Sequence, residues 1–372
     1  MKIAINTRFL LKDKLEGIGW FSHEIIRRIV NQHPEDEFLF LFDRPYHADF
    51  IYAKNVEAVI INPPARHPLL WYTWFESAVP RVLKKWQPDV FFSPDGYCSL
   101  KSSTKTLMVT HDLAHLHFPE QVPYLARKYY QRYVPQYLNR ADKVVAVSEF
   151  TKQDIIKNYS LPTDKVKVVY NACRTDFKPL PEGAQQKIRD QYSNGFPYFF
   201  YLGAVHPRKN VHRLIEAFDQ FKQQTNAPHQ LLIGGRFAWQ TGPVKTAYDN
   251  AQRQQDIVFL DYLDNTATPK LMAAAFAFVY PSLFEGFGIP LLEAMHTDTP
   301  VITSNVSSLP EVAGDAALLV NPMVSKEIEK AMLQLYNEMD LRQTLIQNGR
   351  VQRQQFDWDK SAARIYNLLS KL

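Results

Sequence analysis

The most informative segment of the chain is residues 275–295, which read AFAFVYPSLFEGFGIPLLEAM. Its apolar and aromatic run from Phe276 to Tyr280 is typical of a buried strand. Gly286 and Gly288 follow at positions where a residue without a side chain lets the backbone approach a ligand closely. Pro290 suits the first turn of a helix, because that turn does not use its missing N–H group. The segment therefore predicts a strand, a glycine loop and a helix.

Two acidic residues accompany these elements. Glu285 precedes the predicted helix, and Glu293 lies about one turn inside it. The free N–H groups at the start of a helix favour an anion. Carboxylates beside such a backbone suit an anion that also carries hydroxyl groups, such as a sugar nucleotide. Two isolated glutamates would more simply be surface residues, but their coincidence with the strand, glycines and helix favours a ligand site.

The same segment closely resembles the Glu-x7-Glu motif of the family-4 retaining glycosyltransferases, also called group 1 glycosyltransferases. Glu285 and Glu293 match the two acids of the motif, and Gly286-Phe287-Gly288 matches its glycine loop. The resemblance implies an α/β chain of the GT-B fold, with two facing Rossmann-like domains, parallel sheets and a C-terminal crossover helix. It covers nearly the whole chain and is strongest over residues 198–321.

Composition is consistent with a globular enzyme of two domains. The chain has 372 residues, of which 46% are hydrophobic, and its net charge of +5 is too mild to indicate a nucleic-acid partner. Two cysteines, Cys98 and Cys173, are too few for a disulfide framework. No apolar run is long enough to span a membrane. We expect a cytoplasmic protein, with peripheral contact at the inner face of the membrane left open.

Four segments are expected from the order of apolar runs and turn residues. Residues 1–173 form the N-terminal, acceptor-side Rossmann-like domain, and the Pro- and Gly-containing residues 174–197 form a linker. Residues 198–356 form the C-terminal domain that binds the nucleotide sugar. Residues 357–372 form a helix, which in the GT-B fold packs back on the N-terminal domain.

A glycine loop near the N-terminus is the first candidate binding feature. A strand from Lys2 to Asn6 is followed by a loop containing Gly17 and Gly19, and then by a helix from about Trp20. The third glycine of the dinucleotide fingerprint is missing, so the pattern is not typical of an NAD site. A plain tight turn and a functional loop both remain open. The resemblance implies that this loop approaches the donor phosphates and the acceptor.

His111 is the histidine with a predicted function. It follows the strand from Thr106 to Thr110, at the carboxyl end where ligands collect in open α/β sheets. A single histidine is usually structural, and we expect that of His115 and His117. The resemblance implies a different role for His111, over the donor sugar.

Aromatic and basic residues are interleaved between positions 68 and 88. Such a mixture suits a membrane interface or a lipid-linked acceptor, but it also suits a helix that packs its rings on the sheet. We favour the core interpretation. The residues concerned are Trp71, Tyr72, Trp74, Phe75, Arg81, Lys84, Lys85 and Trp86.

The second domain begins with a predicted strand from Tyr198 to Leu202, followed by Gly203 and then by Arg208 and Lys209. Two adjacent cations in a strand–loop–helix corner suit a pyrophosphate, because Arg supplies a fork of donors and Lys a point charge. The resemblance implies that both residues hold the donor diphosphate. Ala204 stands where many members of the family have an arginine, which leaves more of the charge neutralisation to Arg208 and Lys209.

The resemblance implies further donor contacts. Glu285 would bind the donor sugar and Glu293 the ribose, while Tyr262 and Leu263 would contact the base. The remaining donor-binding residues implied by it are Gly203, Gly286, Phe287, Gly288, Ile289 and Leu291.

The predicted activity is retaining glycosyl transfer without a metal or other cofactor, because Arg208, Lys209 and a helix N-terminus would stabilise the leaving diphosphate. With His111 and Glu285, these two cations are the predicted catalytic residues. The likeness to mannosyltransferases implies GDP-mannose as donor, a glycan or lipid-linked acceptor and a role in polysaccharide biosynthesis. Alternatives are UDP-glucose or UDP-N-acetylglucosamine as donor, a sugar-nucleotide epimerase, a phosphorylase, and a non-catalytic sugar-nucleotide sensor.

Overall fold

Residues 1–12, 14–235, 242–260 and 263–372 are described by the structure, a computed structural model of the chain. They divide into two units. The first unit comprises Met1–Asn171 and Asp357–Leu372, and the second comprises Ala172–Phe356. None of the helices in the described ranges is long and apolar enough to cross a lipid bilayer.

The first unit is built on a parallel sheet of seven strands in the order β3-β2-β1-β4-β5-β6-β7. Ile3 of the central strand lies opposite Phe38 on one side and Val90 on the other. These strands are nearly continuous apolar runs because helices cover both faces of a parallel sheet. Their bounds are β1 Lys2–Asn6, β2 Glu37–Phe42, β3 Val56–Ile60, β4 Val90–Ser93, β5 Lys105–Thr110, β6 Lys143–Ala146 and β7 Val166–Val168.

The helices of this unit up to residue 171 are α1 Gly17–Gln32, α2 Pro68–Thr73, α3 Val79–Trp86, α4 Ala114–His117, α5 Tyr124–Arg140 and α6 Glu149–Tyr159. A short π-helical turn, Trp74–Ala78, joins α2 to α3. It buries the Trp74 and Phe75 rings completely, which confirms the core interpretation for these two residues. Tyr72, by contrast, is 39% exposed.

The prediction of a glycine loop before a helix from Trp20 is wrong, because α1 already begins at Gly17. The Trp20 N–H group donates to the Glu16 carbonyl oxygen at 2.8 Å, which closes the first helical turn. A Cβ atom at Gly19 would lie 2.9 Å from the Phe9 carbonyl oxygen. Glycine is therefore required at this position for close packing of the helix against the preceding segment.

The second unit contains a parallel sheet of six strands in the order β10-β9-β8-β11-β12-β13. Tyr198 and Phe200 illustrate the register, since the first lies opposite Gln230 and the second opposite Phe278. The strands are β8 Tyr198–Leu202, β9 Gln230–Gly234, β10 Ile257–Leu260, β11 Ala277–Tyr280, β12 Val301–Ser304 and β13 Ala317–Val320.

Its helices are α7 Glu182–Ser193, α8 Val211–Gln224, α9 Gly242–Asn250, α10 Ala267–Ala274, α11 Ile289–His296, α12 Leu309–Ala313, α13 Ser325–Asn337 and α14 Met339–Gln352. Helix α7 occupies half of the predicted linker, residues 174–197, and the whole segment belongs to the second unit. Arg189 of α7 donates from Nε to the Ala274 carbonyl oxygen at 3.1 Å. The flanking proline and glycine residues are the ends of a packed helix, so the linker prediction is corrected.

The last helix, α15 Trp358–Leu369, belongs to the first unit, as a crossover helix does. Asp357 caps it by accepting a hydrogen bond from the Lys360 N–H group at 2.8 Å. Asp359 forms an ion pair of 2.7 Å with Arg28 of α1. The Trp358 ring packs edge-on against Phe21 of α1, with ring centroids 6.1 Å apart.

Both sheets reverse their strand order once, between β1 and β4 in the first and between β8 and β11 in the second. Neighbouring connections leave such a switch point in opposite directions, which opens a crevice at the carboxyl ends of the strands. Ligand-binding side chains are therefore expected in the loops after these four strands.

Substitution of Trp358 tests whether α15 is part of the first unit's core. Its side chain is 4% exposed, so Trp358→Ala should lower the free energy of unfolding by about 3–5 kcal/mol. Lys360→Ala, at an exposed position of the same turn, should change it by less than about 0.5 kcal/mol. Urea unfolding followed by circular dichroism measures both. Equal midpoints for the two variants would contradict the packing described here.

Candidate functional site

The loops after β8 and β11 are joined at the switch point of the second sheet. The Leu283 N–H group donates to the Arg208 carbonyl oxygen at 2.8 Å. In return, Arg208 Nη1 donates to the Phe284 carbonyl oxygen at 2.9 Å. Asn210 adds a third bond, from its side-chain amide to the Pro281 carbonyl oxygen at 3.0 Å. The predicted cations are thus held against the loop that carries Glu285.

Lys209, Tyr280 and Glu285 form a closed triangle of hydrogen bonds. Lys209 Nζ donates to the Tyr280 hydroxyl at 2.7 Å and to Glu285 Oε1 at 2.5 Å. The Tyr280 hydroxyl donates to the same carboxylate oxygen at 2.9 Å. Arg208 Nη1 lies 3.8 Å from the other oxygen, Oε2. The structure therefore brings together three of the four predicted catalytic residues.

Neighbouring charges and burial determine the protonation states of Glu285 and Tyr280. Burial acts to raise the pKa of Glu285, but the positive charges of Lys209 and Arg208 outweigh it, so the pKa of this carboxyl group is lowered. Burial raises the pKa of Tyr280 well above its usual value, which keeps the phenol protonated as a donor. The three charged side chains, Arg208, Lys209 and Glu285, sum to one positive charge. Such a cluster favours an anionic ligand.

Residues 285–288 are held in place by two serines after β12. The Glu285 N–H group donates to Ser307 Oγ at 3.1 Å. Ser308 Oγ lies 2.9 Å from the carbonyl oxygens of both Glu285 and Phe287. Gly286 lies inside this clamped loop.

Gly288 is the N-cap of α11 and has a φ of 102°, a conformation that favours glycine. A Cβ atom there would also lie 2.8 Å from Leu309 Cδ2. Pro290 follows in the first turn of the helix, as predicted.

The ends of β8 and β9 approach each other closely beside this cluster. The Gly203 N–H group donates to the Gly234 carbonyl oxygen at 2.9 Å. At Gly235, a Cβ atom would lie 2.0 Å from the Gly203 carbonyl oxygen. Leu263 packs at the same edge, since a Cβ atom at Gly234 would lie 2.6 Å from its Cδ1. Tyr262, the other predicted base contact, lies outside the described residues.

Glu293 is buried in α11, and burial raises its pKa to about 7. The charge of Arg174 acts to lower this pKa, whereas that of Asp176 acts to raise it. Ile289 is half-buried at the start of the helix. The Leu291 side chain is completely buried and its N–H group donates to the Gly288 carbonyl oxygen at 3.0 Å, so its observed role is packing.

His111 lies in the first unit, directly after β5. Its Nε2 is 2.7 Å from the Pro94 carbonyl oxygen, which can only accept, so Nε2 carries the proton. Burial lowers the pKa of His111 and keeps the ring neutral. The ring packs edge-on against Phe21, with centroids 5.1 Å apart. Neutral His111 thus has Nδ1 as a hydrogen-bond acceptor.

Several polar residues at the two switch points were not predicted from the sequence. In the first unit, Arg8 after β1 forms a buried ion pair with Asp95 after β4. Burial acts to lower the pKa of Arg8, but the charge of Asp95 outweighs it and the pKa is raised. In the second unit, Tyr280, Ser307 and Ser308 were missed. Their common signal is a polar residue at or just beyond the end of an apolar strand.

One grouping that could meet a metal ion lies in the described part of the first unit, at His33, Glu35 and Asp36. Asp36 already pairs with the N-terminal amine and accepts from the Tyr366 hydroxyl at 2.7 Å. The His33 ring stacks on Tyr366 with centroids 3.4 Å apart. Glu35 Oε1 lies 3.3 Å from His33 Nδ1, so protein contacts account for all three side chains.

The raised pKa of Glu293 gives a prediction about stability. Between its ordinary value of 4.5 and about 7, the folded protein binds a proton that the unfolded chain does not. Stability should therefore fall as the pH rises through this window, by up to about 3 kcal/mol in total. Glu293→Gln, which cannot ionise, should match the unsubstituted protein below pH 4.5 and exceed it by that amount above pH 7.

Melting temperature as a function of pH, without added ligand, measures this difference. Glu216→Gln, at an exposed position of α8, is the control and should leave the pH profile unchanged. Parallel profiles for Glu293→Gln and the unsubstituted protein would show that Glu293 ionises normally.

Comparison with known families assigns one family to most of each unit. The family described as Glycosyltransferase Family 4 matches residues 16–177. The family described as Glycosyl transferases group 1 matches residues 184–352, which contain the whole cluster around Glu285.

Relatives of known name cover most or nearly all of the chain. The O-antigen chain mannosyltransferase B of Escherichia coli is 29% identical over 382 residues, spanning 99% of each chain. The O-antigen chain mannosyltransferase RfbU of Salmonella typhimurium is 28% identical over 71% of this chain and 70% of its own. Among solved structures, Anabaena HepE in complex with UDP-glucose has the same fold, with a TM-score of 0.78, 19% identity and full coverage of both chains.

The two family matches include residues of both parallel sheets, and the relative that spans 99% of this chain is named a mannosyltransferase. The fold is GT-B, with one Rossmann-like domain in each unit. The chain is an enzyme, a glycosyltransferase that joins a region of Glycosyltransferase Family 4 to a region of the group 1 glycosyl transferases.

Proposed function

We propose that this glycosyltransferase moves mannose from GDP-mannose to a hydroxyl group of a glycan or lipid-linked acceptor, with retention of configuration. The observation that carries the proposal is the cluster of Arg208, Lys209 and Glu285 at the switch point of the second sheet. Mannose is supported by relatives named mannosyltransferases at 28–29% identity. The process served would be synthesis of a polysaccharide such as O-antigen, on the cytoplasmic side of a membrane.

The diphosphate would bind to Arg208 and Lys209, helped by backbone N–H groups of residues 286–288 and by the N-terminus of α11. Both side chains are already oriented, Lys209 by Tyr280 and Arg208 by the Phe284 carbonyl oxygen. Preorganised charge of this kind stabilises a leaving group without reorganisation during the reaction. We therefore propose that no metal or other cofactor is needed.

Glu285 would act on the sugar. Its lowered pKa keeps the carboxylate ionised, so it can stabilise the positive charge that develops on the ring as the diphosphate leaves. In the proposed step the bond from the sugar C1 to the diphosphate oxygen breaks, and a bond from C1 to the acceptor oxygen forms on the same face. The acceptor proton passes to the departing phosphate oxygen.

The other binding roles complete the proposal. Glu293 would accept hydrogen bonds from the ribose hydroxyl groups, and Gly203 with Leu263 would lie near the base. His111, neutral and with Nδ1 as acceptor, would bind a hydroxyl group of the sugar. Gly17 and Gly19 would contribute through the N-terminus of α1, since they are helical.

Mass spectrometry of reaction products with a panel of nucleotide sugars tests the proposal. We expect transfer of a hexose from GDP-mannose to an oligosaccharide acceptor, unchanged by exhaustive chelation. Transfer only from UDP-glucose or UDP-N-acetylglucosamine would show that GDP-mannose is not the donor. An isomerised sugar without an acceptor, or a strict need for added Mg²⁺ or Mn²⁺, would contradict the mechanism.

Kinetics of Glu285 and Lys209 variants test the assigned roles. Glu285→Gln and Lys209→Ala should each lower kcat about a hundredfold, because each interaction, worth about 3 kcal/mol, grows in the transition state. Glu293→Gln should chiefly raise the KM for the donor, because ribose contacts are equal in ground and transition states.

Lys222→Met is the control, because Lys222 is a lysine in an ion pair away from the cluster, 2.9 Å from Asp256. It should lower the melting temperature and spare kcat of the folded enzyme. If Lys209→Ala behaved like this control, the Lys209–Glu285 pair would have a structural role only.

A further inference from the structure

Helix α5 presents an unusual surface in the first unit. Tyr124 and Leu125, in its first turn, are 62% and 55% exposed. Its exposed positions continue with Lys128, Gln131 and Arg132, at the spacing of one helix face. We name Tyr124, Leu125, Lys128 and Arg132 the α5 face.

The inward side of α5 is fixed by packing. Tyr129 and Tyr137 are buried, and their hydroxyl groups are 2.5 Å apart. Leu138 is completely buried further along the helix. Helix α5 is therefore well packed on its inner side, and loose packing does not explain the exposure of Tyr124 and Leu125.

The charge of this region has one sign. Residues 121–141 contain four Lys or Arg residues and no Asp or Glu. Across the described ranges, no ion pair joins Arg127, Lys128 or Arg132 to a carboxylate. Arg127 and Lys128 instead lie over the Tyr124 ring, each 5.7 Å from its centroid. The exposed Tyr124 ring thus lies beside two cations that form no ion pair within the described residues.

Helix α2 extends this surface. It packs along α5, because Trp71 stacks on Tyr130 with centroids 5.8 Å apart and Tyr72 approaches Tyr133 at 5.5 Å. Leu69 is 72% exposed, and Lys101 Nζ lies 6.0 Å from the centroid of the half-exposed Tyr72 ring. Exposed apolar side chains of α2 therefore also lie beside a cation, which the segment between β4 and β5 supplies.

Topology fixes where the α5 face lies relative to His111. The connection from β5 to the parallel strand β6 leaves the carboxyl edge of the sheet and returns to its amino edge. Its first residues after β5 include His111, and α5 follows within the same connection. Tyr124 and Leu125, at the N-terminal end of α5, therefore lie toward the edge that carries His111.

We propose that the α5 face, together with Leu69 and Tyr72 of α2, docks on the anionic surface of a lipid bilayer. Cations attract the anionic head groups, while tyrosine and leucine enter the boundary between head groups and acyl chains. Nucleic acid would use the cations but would leave Leu69 and Leu125 in water. The biological setting rests on the proposed function, since a lipid-linked acceptor would be presented near the His111 edge.

Co-sedimentation of the full chain with lipid vesicles tests the inference. We expect binding to vesicles of equal parts phosphatidylcholine and phosphatidylglycerol, weakened by salt, and none to phosphatidylcholine alone. The double variant Lys128→Glu/Arg132→Glu should lose about tenfold or more in affinity. Tyr124→Ser/Leu125→Ser should also weaken binding, because the apolar contact is lost.

The control is Lys187→Glu/Lys330→Glu, a matched charge reversal at exposed lysines of the second unit, which should bind like the unsubstituted protein. Equal losses in both charge reversals would show a non-specific response to net charge. Unchanged binding after Tyr124→Ser/Leu125→Ser would show a purely ionic surface. Either result, or no vesicle binding at all, overturns the proposal.

Activity separates this inference from the proposed function. The α5 variants should transfer sugar to a water-soluble acceptor at the normal rate, because the α5 face is not among the residues assigned to the donor. Absence of transfer in every variant, with vesicle binding intact, would contradict the proposed function alone. Normal transfer without vesicle binding would contradict the docking surface alone.

Discussion

A half-buried lysine, Lys209, pairs with a buried glutamate, Glu285, at the carboxyl edge of the second sheet. Taking Lys209 and Glu285 out of water costs several kcal/mol per ion, and their mutual attraction offsets this only with good geometry and further hydrogen bonds. Tyr280 supplies such bonds to both, and Arg208 stands beside the second carboxylate oxygen. Removal of Lys209 would leave Arg208 as the remaining cation beside the buried Glu285 carboxylate, so this edge of the sheet should lose stability. This pair fixes the mutual position of the loops after β8 and β11 together with the hydrogen bonds that Arg208 and Asn210 make to the second loop.

The two units use the same switch-point construction but carry different charge there. In the second unit, the three charged residues around Glu285 sum to one positive charge, which suits a diphosphate. In the first unit, Arg8 and Asp95 neutralise each other and His111 is neutral. Such an edge suits hydroxyl groups more than phosphates. This difference agrees with a donor nucleotide on one unit and sugar hydroxyl groups on the other.

Burial changes the pKa of the Glu293 carboxyl group. With a pKa of about 7, this carboxyl group loses its proton only near neutral pH in the protein without ligand. Ribose hydroxyl groups would donate to the ionised form and so lower this pKa on binding. Donor binding and the protonation of Glu293 are therefore coupled in the proposed function.

Much of the fold and part of the site follow from local sequence. The apolar runs predicted β1 and β8 with their observed bounds. Strands that are buried on both faces of a parallel sheet are nearly continuous apolar runs, so their ends are visible in the sequence. The motif around Glu285 and Glu293, with Pro290 and the Arg208-Lys209 pair, identified the family and the candidate catalytic residues. These features are local because a strand, its glycine loop and its helix are consecutive in the chain.

Only the tertiary structure decided which side chains meet. Gly17 and Gly19 were predicted to lie in a loop, but both belong to the first turn of α1, and Gly19 packs against the Phe9 carbonyl oxygen. Residues 174–197 appeared to be a linker, but packing against α10 stabilises α7 there. Three pairings could not be predicted from the sequence: Lys209 with Tyr280, Glu285 with Ser308, and Arg8 with Asp95. Hydrogen bonds and ion pairs between distant segments depend on strand order, and strand order is fixed by the packing of the whole sheet rather than by any one segment.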